Sequence, residues 1–247
     1  MPKLVFDIET IGEDFDSLDK TTQEVLTYWM KKESFSKDEY QNTLEDLKKN
    51  LGFSPLTGEI VAIGVLDVEK NKGVVYYQAP RKESDKDKKE ALDFMPASEE
   101  NSFEFKICTE KEMLEKFWEG AKSYDEFIGF NSRGFDVPFL AVRSAIYGIK
   151  PSKNLLSNRY LNSQLFGAKH IDLMDQLTFY GAVRKKGGLH LWCRAFGITS
   201  PKADGIKGED VAKLFNKQEY LKIAKYNVGD LQATRELYLK WEKYLKF

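Results

Sequence analysis

Apolar residues occupy Leu4, Val5, Phe6, Ile8 and Ile11, in a run broken by Asp7, Glu9 and Thr10. The run predicts a strand. Successive side chains on a strand point to opposite faces, so Val5, Asp7 and Glu9 share one face and Leu4, Phe6 and Ile8 the other. Phe6 and Ile8 can enter a core while both carboxylates project together. Residues 17–51 place apolar side chains at helical intervals, in "TTQEVLTYWMKK" and "SKDEYQNTLEDLKKN", and Gly52 offers a stop. "EIVAIGVLDVE" (59–69) and "GVVYYQA" (73–79) read as a hairpin of strands.

Residues 80–102 are mostly charged or small and read as a mobile loop. "FEFKIC" is a candidate return to the sheet. "TEKEMLEKFWEGAKS" opens with Thr109 followed by Glu112, a capping-box pattern that predicts a helix. "EFIGFN" reads as a strand, and "FDVPFLAVRSAIYG" as a helix with Pro138 in its first turn. "HIDLMDQL" is a short strand running into a helix. "LHLWCRAFG" and "GEDVAKLF" are short helices, and one long amphipathic helix runs from Gln218 onward. The order predicts one α/β domain over residues 1–247, a mixed sheet flanked by helices, with a helical insertion at 17–51.

Hydrophobic residues at 42% and aromatics at 13% suffice for a core and exclude a disordered chain. A net charge of −1 gives no sign of a polyanion-binding protein. The charge is uneven, however: residues 131–207 carry an excess of +8 and the remainder −9. That asymmetry fits a basic face that meets a polyanion, or ordinary surface charge. Cys108 and Cys193 make no disulfide framework, and with His170 and His190 they give no zinc-like spacing. Reduced thiols, no signal-like leader and no membrane-length apolar run lead us to expect a soluble cytoplasmic protein with no membrane partner.

Two carboxylates one residue apart repel, and burying either raises its pKa. A divalent cation, which prefers hard oxygen ligands, would remove that cost; a solvated acidic edge strand is the alternative. Asp136 stands at the start of a helix, just after a strand that ends near Asn131, where ligands collect in α/β sheets. Read alone, it is better explained as a helix N-cap. Tyr226 and Asp230 are four apart and share a helix face. Gly229 between them costs about 1 kcal/mol against Ala, which suggests close approach; a surface acid beside a half-buried tyrosine is the alternative.

Taken together, "FDIET", "NSRGFD" and "YNVGD" resemble, in order, the three motifs of the DEDD superfamily of 3′→5′ exonucleases. The tyrosine four residues before the last Asp resembles the DEDDy branch. The likeness is to the proofreading domain of family-B DNA polymerases and its stand-alone relatives, and it spans nearly the whole chain. "SPLTGEIVAIGV" and "HIDLMD" are similar to that group's connecting segments. The resemblance implies a ribonuclease H-like fold and two Mg2+ or Mn2+ ions held by Asp7, Glu9, Asp136 and Asp230, with Asp7 between them. Tyr226 would orient the attacking water, and Thr10, Asn131 and Phe135 would hold the terminal nucleotide.

The implied substrate is single-stranded nucleic acid or a frayed 3′ end, with DNA favoured over RNA. An exoribonuclease and a non-catalytic nucleic-acid-binding module are the alternatives. The chain departs from the pattern in two places. Lys225 stands where the DEDDh branch has histidine, and the insertion at 17–51 is long; it would wall the site, restrict substrate shape or bind a partner. Arg133 and the basic loop at 184–188 are candidate phosphate contacts. His170, Asp172, Tyr180 and Trp192 read as structural.

Overall fold

The computed structural model describes residues 1–33, 36–80, 103–200 and 208–246. Nearly all of the loop expected at 80–102 lies outside the described residues. Six strands form one sheet: β1 (Lys3–Gly12), β2 (Gly58–Asp67), β3 (Lys72–Tyr77), β4 (Phe103–Ile107), β5 (Glu126–Gly129) and β6 (Lys169–Asp172), in the order β4-β3-β2-β1-β5-β6. β1, β2 and β3 run antiparallel in succession, while β4 joins β3 and β5 and β6 extend from β1 in parallel. "FEFKIC" therefore does return to the sheet, as an edge strand.

Helices cover both faces. α4 (Glu110–Ala121) and α5 (Asp136–Ile146) pack on the face that receives Leu4, Phe6 and Ile8. Phe117, Phe127, Phe139 and Leu140 close that core, each at most 2% exposed. α4 starts with the expected capping box, in which Thr109 and Glu112 bond to each other's backbone. The opposite face, with Val5, Val61 and Val75, is covered by α9 (Tyr220–Tyr244) through Leu231, Leu237, Tyr238 and Trp241. Asp7 and Glu9 thus lie on the strand face beneath the last helix. Between β6 and α9 lie α6 (Leu173–Leu177), α7 (Leu189–Phe196) and α8 (Val211–Asn216).

The insertion after β1 holds α1 (Lys20–Thr27), α2 (Met30–Glu33) and α3 (Lys37–Asn50), then a single turn at Leu51–Phe53. Its two ends meet. Gly12 pairs with Gly58 in the sheet, and the Glu13 N–H donates to Thr57 O at 2.8 Å. Gly12 and Gly52 cross with no room for a Cβ on either. Among the described residues, no helix is long and apolar enough to cross a membrane.

Candidate active site

The site starts in the middle strand. Asp7 stands opposite Gly64 and Glu9 opposite Ala62, and the pairing slips between Glu9 and Thr10. Such a bulge bends its strand and re-aims the side chains beside it. Gly64 matters for a different reason: any Cβ there would overlap Asn227 Oδ1 from the last helix. The glycine lets α9 approach the strand closely, so Asp230 reaches the same space as Asp7 and Glu9. One carboxylate oxygen from each of these three acids lies within 4.8 Å of the others. Asn227 Nδ2 donates to Asp7 Oδ2 at 2.8 Å and sits 3.4 Å from Glu9 Oε1.

Asp136 comes from the start of α5, which packs on the opposite face of the sheet from α9. The N-cap of its helix is Phe135, whose side chain makes no cap bond, so Asp136 is not the cap that its position suggests in sequence. Its Oδ1 instead accepts the Ile8 backbone N–H at 3.1 Å, which fastens it to the strand between the first two acids. The preceding loop is held from below. Asp172, at the end of β6, accepts from the N–H groups of Asn131 (2.9 Å), Arg133 (2.8 Å) and Met174 (2.9 Å). Asn131 takes a left-handed conformation (φ 59°) within that turn. His170 is buried and joins Ser132 Oγ to Leu155 O, at 2.8 and 3.0 Å. His170 and Asp172 are thus structural, as expected, and their structural work is to hold this loop.

A pocket of about 400 Å3 opens over two of the acids, Asp7 and Asp136, with Asn131, Phe135 and Phe53 also in its walls. The Phe53 and Phe135 rings meet edge-on at 6.1 Å. Phe53 is 61% exposed, so its ring is open to the pocket. Thr10 lies at the same strand end, but its hydroxyl donates to Gly52 O at 2.7 Å, and the residue does not line the pocket. Arg133 is likewise engaged: it reaches Leu155 O and lies 3.9 Å from Asp175.

The electrostatics are those of a crowded anionic site. Burial, then repulsion from Asp136, Glu9 and Asp230, holds Asp7 well above the usual carboxylate range. Burial, then Asp230, raises Glu9 as well, against the opposing bond from Asn227. Asp136 is pushed up to about 7, chiefly by burial, with its backbone hydrogen bonds pulling the other way. Burial and the neighbouring Asp230, Glu9 and Asp7 raise Tyr226, whose hydroxyl also bonds Asp230. Its proton is therefore retained at neutral pH. Acids this close, with oxygen donors alone, fit one or more hard divalent cations; Asp7, Glu9 and Asp230 could hold one.

The profile of a family described as "Predicted 3'-5' exonuclease related to the exonuclease domain of PolB" matches residues 83–246. The chain belongs to this family. It is thus a member of a predicted 3′→5′ exonuclease family, an activity that implies a nucleic-acid substrate. The matched span contains Asn131, Phe135, Asp136, Tyr226 and Asp230; Asp7 and Glu9 lie outside it and meet these residues only through the fold. The family B DNA polymerase from the hyperthermophilic archaeon Pyrobaculum calidifontis has a similar fold, with a TM-score of 0.56 and 17% identity. The match covers 98% of this chain and 24% of that polymerase. No curated protein matches the chain.

Of the residues picked from sequence, Asp7, Glu9, Asp136, Tyr226 and Asp230 converge on one site, with Asn131 and Phe135 in its wall. Sequence reasoning missed Phe53 and Asn227. The glycines that flank or face them, Gly52 and Gly64, were the available signal.

Proposed function

We propose that this exonuclease removes nucleotides from single-stranded or frayed 3′ ends of DNA by a two-metal mechanism of the DEDDy type. The observation that supports it is the meeting of Asp7 and Glu9 with Asp230, more than 220 positions away, beside a pocket that Asp7 and Asp136 line. Asp7, Glu9, Asp136 and Asp230 would hold two Mg2+ or Mn2+ ions. Bound there, the ions would acidify a water and neutralise charge on the leaving 3′-oxygen. Four formal negative charges nearly balance two divalent cations, which gives the burial of so many acids a purpose.

The other residues bind and orient. Tyr226 keeps its proton and so acts as a hydrogen-bond donor beside Asp230, in place to align the attacking water. Phe53 and Phe135 offer two aromatic surfaces for the terminal base, and Asn131 presents an amide at the same wall. The local excess of positive charge in residues 131–207 would draw in the strand behind it. Thr10, with its hydroxyl bonded to Gly52, would contribute by fixing the insertion and so Phe53.

The test is a labelled oligonucleotide incubated with Mn2+ or Mg2+, as matched DNA and RNA, single-stranded and with a 3′ overhang. Stepwise shortening of DNA from the 3′ end, abolished by EDTA and by Asp7→Ala, supports the reading. Faster shortening of RNA would make the enzyme an exoribonuclease, and metal-independent products would overturn the mechanism.

A further inference from the structure

Asn227 touches both acids of the first strand, through Nδ2 to Asp7 Oδ2 and to Glu9 Oε1. It is fully buried, at 0% exposure. Its Oδ1 is buried with no hydrogen-bond partner among the described residues. Stranding an amide oxygen is unfavourable, and an apolar side chain of similar shape would avoid it. A second unfavourable choice sits directly beneath. Gly64 interrupts the interior of a central strand, where glycine weakens the sheet, and the Asn227 oxygen fills the volume its missing Cβ would take. Both features serve one end: they bring an uncharged NH2 group between two carboxylates that repel.

We propose that Asn227 is a positioning residue for the cation site, tying one oxygen of Asp7 and one of Glu9 so that both carboxylates face a shared ion, with Gly64 as the seat that lets the amide reach them. The inference rests on the reading of Asp7 and Glu9 as metal ligands. The chemistry suits the task. An amide donates without carrying positive charge, so it restrains the acids and does not compete with the cation as a lysine would. The reverse orientation would aim Oδ1 at two anions, so the charges themselves select the donor arrangement. Partners that fix metal ligands in this way typically matter by about 10- to 100-fold in affinity.

The experiment is a Mn2+ titration followed by electron paramagnetic resonance, with circular dichroism melts, on the full chain. Asn227→Ala, Asn227→Leu, Gly64→Ala and the Gly64→Ala/Asn227→Ala pair are compared with the native protein. Either Asn227 variant that folds is expected to bind Mn2+ about tenfold or more weakly. Asn227→Leu fills the same space, which guards against loss by collapse. Gly64→Ala alone is expected to weaken binding too. In the pair it should add little further loss, because its Cβ enters the space the amide has left and the flexible end of Leu231 is the close neighbour that remains. Native-like affinity in a folded Asn227 variant, or losses that multiply in the pair, would overturn the inference while the metal reading stands. A native protein that takes up no Mn2+ would remove the metal reading itself.

Discussion

The Ile8 backbone N–H donates to Asp136 Oδ1 at 3.1 Å, a bond between residues 128 positions apart. It makes the second motif's acid part of the first motif's strand. Asp136→Ala would leave that buried donor unpaired and remove one candidate ligand. We expect metal-dependent activity to fall by about 100-fold or more, since even outer partners of metal ligands reach that size. Asp136→Asn keeps an acceptor for Ile8, so it should melt close to native while losing a similar share of activity. Steady-state rates beside thermal melts decide the point.

Without metal, the buried acids should favour the folded state increasingly as pH falls, against buried His170, which is pushed down to about 3 and disfavours it over the same range. Asp7, Glu9 and Asp136 all have raised values in the folded state, Asp136 at about 7 against an ordinary 3.8. A raised carboxylate contributes stability that is complete below its unfolded value and is lost as pH climbs through its folded one. For Asp136 that window runs from about 4 to about 7. The native midpoint in EDTA should therefore decline across it relative to Asp136→Asn, which lacks the titrating group while keeping His170, and Mn2+ added above pH 7 should restore the native protein. A native midpoint that rises relative to Asp136→Asn over the same interval would contradict the crowding of these acids.

Tyr226→Phe removes a hydroxyl and keeps the ring. Because that hydroxyl bonds Asp230 and retains its proton, its loss should lower kcat by up to about 100-fold, the scale of a misplaced nucleophile. Mn2+ affinity should change little. Equal losses in kcat and in metal binding would place the tyrosine in the wrong role.

Phe53→Ala should leave the fold intact, because the ring is 61% exposed. Base stacking on an aromatic is worth about 1–3 kcal/mol per base, so KM for a single strand should rise by roughly 5- to 100-fold. Fluorescence anisotropy with EDTA present measures the same loss without turnover. Unchanged binding would mean that Phe53 only walls the pocket.

Asp172→Ala strands three backbone donors, at Asn131, Arg133 and Met174. The expected destabilisation is at least about 1–3 kcal/mol, the usual penalty for a single such group. Chemical denaturation reads it directly, and the turn that carries Asn131 should become more susceptible to protease.

The strand alternation around Asp7 and Glu9 was legible in sequence because a period of two leaves few ways to place two acids between apolar neighbours. For Tyr226 and Asp230 the spacing of four gave only a shared helix face, and for Asp136 the neighbours spell an N-cap; the resemblance of the three motifs, taken in order, marked all three. Only the folded sheet supplies the Ile8 N–H that Asp136 serves. Phe53 follows a glycine at the end of a polar insertion, and its place over the pocket depends on a backbone crossing far away in sequence. Asn227 reads as one polar residue among many on the last helix. Its meaning appears only where that helix meets Gly64.

The pairing of Gly12 with Gly58 brings the two ends of a 45-residue excursion side by side, with the 13-to-57 bond continuing the ladder. Everything between is topologically a loop on a hairpin. Apart from the Gly52 crossing that fixes its last turn to the strand, changes in the length of its helices need not shift the register of Asp7 and Glu9. On the proposed function, the same strand would then be refitted for differently shaped ends by altering one part, at the expense of the ring that part delivers to the pocket.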